Sequence, residues 1–438
     1  MSRSEWLSGL GAALLVIAIG AWMTISDARK REAVAAEIAA KPPREHNLAI
    51  FDAATDLLRT HYYDPRLFET SDWRRLESRW REKAARVEPK KLYVDVLFGF
   101  AREFPESHVA FAFPPGMAED IYRTKFEAQP VEAPDRVREG LRHGPGFDAV
   151  TIRRGRDQAN IVDSVVRGSP AERAGISPGW LVLNDNTDIS SQHALFTGEF
   201  LELDPDASRE IERTGKLTEE VRLAALTAHV EFELEDFSPP EDLRTQVLSN
   251  EVTYLRFDVF ETMDVVEKTL EAIDDAGPAG IVLDLRRNPG GSLLHLQRVA
   301  GALLGDDVLL GTRRTANASE PMKSWRFTKP YRGPIVVLIG PSTGSAAEIL
   351  AAAVQDQGRG KLVGRPTNGS VIPAEWFGLP DGGRMMIPVS DFVRSDDRRI
   401  EGIGVQPDIR VMPTLEDVRS SRDAALERAL RELSPGTF

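Results

Sequence analysis

Apolar and polar positions change period several times along the chain. Runs at 252–257, 280–285 and 334–339 are almost continuously apolar, as expected of strands buried on both faces. They alternate with stretches near 262–275, 292–304 and 345–356 whose apolar residues recur at helical spacing. That alternation predicts βαβ units around a largely parallel sheet. Earlier, Ile50, Leu57 and Leu58 keep helical spacing, as do Tyr93, Val96, Leu97 and Phe100, with Asp64-Pro65 and Pro89 as breaks. Residues 47–130 therefore read as a helical domain. In between, IVDSVVRGSPAERAGISPGWLVL at 161–183 sets an alternating strand before a Gly-Ser-Pro turn, a short helix and a second strand, with Ser169 and Glu172 at capping-box spacing. The pattern over 184–245 is unclear, its acidic runs reading as solvated surface. Residues 415–434 read as one surface helix.

The N-terminus adds a membrane element. Residues 6–25 form an uncharged stretch of about 20 residues, long enough to cross a bilayer as a helix. Trp6 and Trp22 suit its two interfaces. An uncleaved anchor fits better than a cleaved signal peptide or a buried soluble helix. Residues 26–46, charged and Ala-rich with Pro42 and Pro43, read as a stalk. Arg29, Lys30 and Arg31 follow the span. Charge bias alone would hold the bulk of the chain in the cytoplasm, although long domains are exported regardless of it.

Composition narrows the function classes. The 438 residues suit roughly two to four domains at about 150 residues each. A formal charge of −13 argues against nucleic acid as a partner, since phosphate neutralisation needs cationic surface. The absence of cysteine removes disulfides, thiolate metal sites and a cysteine nucleophile. No metal-ligand spacing, P-loop or dinucleotide glycine pattern is present, so neither a metal nor a cofactor is expected.

Three segments carry candidate chemistry. In GPSTGSAAEILAAAVQDQGRG (340–360) a helix begins near Ser345 after a strand. A serine there is exposed at a helix N-terminus, where backbone N–H groups can stabilise a developing oxyanion. Taken alone, Ser345 reads equally as an N-cap, forming a capping box with Glu348. In IVLDLRRNPGGS (281–292) two glycines let the backbone approach a ligand, or simply turn the chain. The third segment is GRPTNGS (364–370), followed by RRIEGIGVQPDI (398–409).

Together these motifs, in this order, resemble the C-terminal processing peptidase (tail-specific protease) family, over most of residues 47–412. The resemblance implies an α+β multidomain protein: an anchor or signal at 6–25, a stalk at 26–46, a helical domain at 47–130, a PDZ-like β-domain with an extension at 137–245, a crotonase-like α/β protease domain at 246–412 and a C-terminal helix at 413–438. The run at 161–183 is similar to a PDZ domain, with Trp180 where an Asp is usual. Gly144, Gly146 and Phe147 match its peptide-carboxylate loop. The resemblance implies a serine endopeptidase without cofactor, acting on unfolded proteins or peptide C-termini. Ser345 matches the nucleophile, and the N–H of Ala346 with that of Gly290 or Gly291 matches the oxyanion hole. The lysine base of one branch is replaced by Ser370. Ser107 and His108 instead resemble the Ser-His pair of the tricorn-like branch, with His108 as base, and Glu401 matches the Glu that completes that branch's tetrad. His295, on an apolar helix, reads as a packed side chain. The resemblance further implies a bacterial inner-membrane protein with its bulk in the periplasm, and it allows for homo-oligomers. A catalytically inactive peptide- or ligand-binding membrane protein on the same fold is the rival reading. Ser370 favours it and Ser107-His108 disfavours it.

Overall fold

The computed structural model describes residues 33–115, 117, 142–144, 147–154, 157–188, 195–218, 226–233, 235–237, 243–248, 250–260, 262–326 and 329–433. The apolar segment 6–25 and Gly146 lie outside these residues. No helix among the described residues is long and apolar enough to cross a membrane. The chain forms two compact units.

The first unit comprises Met1–Glu103, Val109–Glu127 and Ala374–Pro388. Helices Pro43–His61 and Ser71–Ala84 precede a π-helical turn, Leu92–Leu97, that runs into Phe98–Ala101. Pro43 sits at the first helical position, where its missing N–H costs nothing. Thr70 caps the second helix by accepting the Trp73 N–H at 3.1 Å. Phe51, Trp73 and Phe100 are buried together, with Phe51 and Phe100 rings 5.2 Å apart. In a small antiparallel sheet, Arg384–Pro388 lies between Ala110–Ala112 and Ala374–Gly378. Tyr93 Oη donates to Asp381 Oδ2 at 2.9 Å, which ties the hairpin into this unit.

The second unit comprises Phe104–His108, Ala128–Pro373 and Val389–Phe438. Its centre is a six-stranded sheet. Strands β1 (Thr253–Phe257), β2 (Ile281–Asp284), β3 (Ile335–Ile339) and β4 (Gly360–Gly364) are parallel neighbours in that order. Leu243–Val247 adds antiparallel beside β1, and Ile409–Arg410 adds parallel beside β4. Helices α1 (Met263–Asp274), α2 (Leu293–Leu304) and α3 (Ala346–Asp356) follow β1, β2 and β3. Leu255, Ile281, Leu283, Val337 and Leu362 pack with residues of all three helices. The intervening Tyr254, Val282, Val336, Leu338 and Val363 pack on α4 (Ala424–Leu433). Both faces are covered, which accounts for the uninterrupted apolar runs.

The expectation of one surface helix over 415–434 is corrected. Leu415–Arg419 and α4 are separate helices, with Ser421 at φ 57° between them. Ala425, Ala429 and Leu433 are buried against the sheet.

The remainder of this unit is β-rich. Phe147–Arg154, Asp157–Val165, Leu181–Asp188, Leu195–Glu202 and Leu226–Glu233 form an antiparallel sheet in that order. Ser169 Oγ caps the short helix Pro170–Arg173 by accepting the Glu172 N–H at 3.2 Å. Asp204 caps Pro205–Thr214. The stretch 184–245, unclear in sequence, contains strands of this sheet and that helix. A buried polar network ties the β-rich portion to the α/β portion. Arg365 donates to Glu212 Oε1 at 2.7 Å and to Asp163 Oδ1 at 3.1 Å, Arg410 pairs with Glu212, and Ser342 Oγ donates to Asp163 Oδ2 at 2.5 Å.

Candidate active site

The turn after β3 is clamped to the turn after β2. Thr343 Oγ1 donates to the Leu285 carbonyl at 2.7 Å and accepts the Gly340 N–H at 3.0 Å. The Gly344 N–H donates to the Asn288 carbonyl at 3.0 Å. Ser345, next in line, adopts φ 48°, ψ −121°, a region that an L-residue occupies at a cost of roughly 1–3 kcal/mol. Its N–H is held by the Ser370 carbonyl at 2.9 Å and by Glu348 Oε2 at 3.1 Å, so the surrounding bonds fix the strained conformation.

The second turn supplies one open donor. A Cβ on Gly290 would lie 2.6 Å from Ser345 Cβ and 2.9 Å from Ala346 N, so only glycine lets the two turns meet here. The Gly290 N–H is already committed to Asn288 Oδ1 at 2.9 Å, while Asn288 Nδ2 donates to the Phe257 carbonyl at 3.0 Å. The N–H groups of Gly291 and Ala346 have no acceptor among the described residues. Of the two glycines, Gly291 is therefore the one whose N–H, like that of Ala346, is left without an acceptor among the described residues.

Glu348 does more than cap α3. Its buried carboxylate accepts from Thr367 Oγ1, from the Gly369 N–H at 2.7 Å and the Ser370 N–H at 2.8 Å, and from Ser345. Thr367 Oγ1 in turn accepts the Val405 N–H at 2.6 Å. Burial pushes the Glu348 carboxyl up to about 7, against the hydrogen bonds from Thr367, Ser370 and Gly369, and the nearby Glu401 charge adds to the rise.

The loop that holds Ser345 also holds the candidate base. Glu401 Oε2 accepts the N–H groups of Val371 and Ile372 at 2.8 and 3.1 Å. Its Oε1 accepts the Ser107 main-chain N–H at 2.6 Å, so it reaches Ser107 through the backbone rather than the hydroxyl. Ser107 Oγ lies 2.5 Å from His108 Nδ1. Ser370 Oγ donates to Asn368 Oδ1 at 2.5 Å and offers no amine where the lysine of the other branch would stand.

The other sequence-derived candidates fall elsewhere. Gly144 ends the strand Arg142–Gly144, and Phe147 begins Phe147–Arg154 with its ring 5.7 Å from Phe200. His295 is packed, its Nδ1 2.7 Å from the Phe260 carbonyl oxygen. Among the described residues, no group of three or more His, Asp or Glu is arranged to hold a metal ion. Sequence reasoning missed Asn288, Thr343 and Thr367 as organisers of the site. The only trace was their position within the Asn-Pro-Gly-Gly, Ser-Thr-Gly-Ser and Pro-Thr-Asn-Gly runs.

Residues 251–411 match peptidase family S41. The chain is 30% identical over 284 residues to the carboxyl-terminal-processing protease of Synechocystis sp., an alignment covering 61% of this chain and 64% of that protein. It is 24% identical over 266 residues to the carboxy-terminal processing protease CtpA of Bacillus subtilis, covering 58% and 54%. The chain thus spans less than two thirds of the length of these relatives. The solved photosystem II D1 C-terminal processing protease superposes with a TM-score of 0.57 at 19% identity, over 86% of this chain and 98% of that one. Mature CPAF gives 0.52 at 12% identity, over 88% and 96%. Both structures share the mixed helix-and-sheet fold. Residues 251–411 are therefore similar to a peptidase S41 domain, in a chain that resembles the carboxyl-terminal processing proteases.

Proposed function

We propose that the protein is a serine endopeptidase that cleaves unfolded or tailed protein substrates through an acyl-enzyme on Ser345. The observation that carries this reading is a single loop, residues 367–372, that fixes Ser345 through Ser370 and anchors Ser107-His108 through Glu401. With Nδ1–H donating to Ser107 Oγ, the lone pair of the neutral His108 ring sits on Nε2. His108 takes the Ser345 proton as Oγ attacks the scissile carbonyl carbon, and the resulting oxyanion accepts from the Ala346 and Gly291 N–H groups. His108 returns the proton to the leaving amine as the C–N bond breaks. Water then attacks the ester, His108 takes its proton and passes it to Ser345 Oγ, and a carboxylate product leaves. This reading goes with the tricorn-like Ser-His branch, and Ser370 in place of lysine supports it.

The β-rich portion is read as a PDZ domain, with a substrate C-terminus adding as a strand between Phe147–Arg154 and Pro205–Thr214. The protein is tethered to the bacterial inner membrane by residues 6–25 with its bulk in the periplasm, and homo-oligomers belong to the same reading.

The test is casein hydrolysis by the full chain, comparing wild type with Ser345→Ala and His108→Ala. Loss of activity in both variants is expected. Loss only in Ser345→Ala keeps the peptidase and removes His108 as its base. A silent wild type whose Ser345 also fails to react with a serine-directed phosphonate leaves the inactive binding protein, the reading that Ser370 favours.

A further inference from the structure

A cavity of about 450 Å3 opens at the carboxyl ends of β1 to β4, and Ser345 does not line it. Its size is ordinary for a ligand pocket, and the carboxyl ends of parallel strands are where open α/β sheets bind ligands. Most of its wall is apolar, with Val165, Val166, Val411 and Pro413 among the lining. The rest is dominated by arginine. Arg286 is neutralised by Asp284 and Asp423, but Arg256 and Arg287 share the single carboxylate of Asp258. Arg167 donates to the Ser421 hydroxyl and Arg244 to Gln246 Oε1, and neither has a carboxylate partner among the described residues.

Arg256 supplies the decisive detail. The residue is 8% exposed, yet its Nε and Nη2 have no hydrogen-bond acceptor among the described residues. Asp258 Oδ1 lies 3.1 Å from Nε but outside hydrogen-bonding geometry, and it too is unsatisfied. Two guanidinium groups that share one carboxylate at the cavity wall leave positive charge that an incoming anion would neutralise. Arginine presents a planar fork suited to a carboxylate, and an apolar wall suits an aliphatic body.

We propose that this cavity binds an aliphatic carboxylate, with Arg256 and Arg287 taking the carboxylate, the aliphatic body against Val166, Val411 and Pro413, and Arg244 contributing charge from the sheet edge. The chemistry is shared by a free fatty acid and by the C-terminus of a peptide ending in aliphatic residues. Ser345 is not among the lining residues, so the proposal does not depend on the peptidase reading.

Isothermal titration of the full chain in non-ionic detergent tests it. The probes are octanoate against octanamide, and acetyl-Leu-Val as its free acid against its amide. Saturable binding of at least one acid is expected, with its uncharged counterpart tenfold weaker or more. Octanoate alone binding identifies a free acid as the source, and the peptide acid alone identifies a chain terminus. Arg256→Met should weaken the acid tenfold or more, and the exposed Arg244→Ala severalfold. Equal affinity for acid and amide, or no saturable binding of either acid, overturns the proposal. Unchanged affinity in Arg244→Ala overturns it as well, even if Arg256→Met does not fold.

Discussion

Asn288 and Glu348 show how single side chains set up the site. Asn288 takes the Gly290 N–H on Oδ1 and donates from Nδ2 to Phe257, so it decides which glycine N–H stays open. In Asn288→Ala the Gly290 N–H is released and the turn is free to move. Given the peptidase reading, steady-state kinetics should show kcat reduced roughly 10²-fold, as for loss of an oxyanion donor, with KM little changed. A rise in KM alone would assign Asn288 to substrate binding instead. Glu348 makes a pH prediction. Its carboxyl rises from 4.5 in the unfolded chain to about 7 in the fold, so between those values the folded state binds a proton that the unfolded state has released. The stabilisation is complete below pH 4.5 and is lost as pH rises through 7, by about 3 kcal/mol in all. Urea unfolding from pH 5 to 8 should show this slope in wild type and a flatter one in Glu348→Gln. At this scale a motif singles out Ser345, whose unusual backbone conformation and hydrogen bonds to Ser370 and Glu348 mark the same position in the fold. The sequence was not legible for Asn288 or Thr367, because their role comes from partners on other elements: Phe257 on β1 and Glu348 on α3.

Secondary-structure elements were most legible where burial is two-sided. The runs 252–257, 280–285 and 334–339 became β1, β2 and β3 within a residue or two at each end, since strands covered on both faces admit few polar residues. The C-terminal helix was legible as a helix but not as buried. Ala425 and Ala429 are too small to mark an apolar face in a stretch crowded with Arg and Glu, and only the packing on Val282, Val336 and Leu338 shows it. This contrast is testable. On a surface helix Ala429→Leu would be close to neutral. Because Ala429 is fully buried against the sheet, the larger side chain should overpack and cost about 1–3 kcal/mol, read as a lowered urea midpoint. An unchanged midpoint would mean that α4 does not pack as described.

For the molecule as a whole, the question is what joins the β-rich and α/β portions into a single unit. The contacts are long in sequence: Arg365 reaches Glu212 across 153 residues and Asp163 across 202. No local pattern reveals such a pairing, and the acidic runs of the β-rich portion looked like solvated surface for that reason. Asp204 and Asp206 in those runs are indeed exposed, but Glu212 is deep, with Arg365 and Glu212 side chains 4% and 1% exposed. Burial pushes the Asp163 carboxyl up, while Arg365 and Ser342 act to keep it charged. Such a network is a poor source of net stability, because desolvation offsets much of the attraction, yet removing one partner strands the others. Glu212→Ala leaves Arg365 with Asp163 alone and takes from Arg410 its carboxylate partner. It should cost about 3–5 kcal/mol, concentrated at the joint rather than spread over the sheet. Limited proteolysis with urea titration should then resolve an early transition of the β-rich portion ahead of the α/β portion. Glu210→Ala, which breaks an exposed pair with Arg213 on the same helix, should leave the single transition of the wild type intact. If both variants unfold in one step at the wild-type midpoint, the joint is held by its apolar contacts, and the buried charges serve only to set its register.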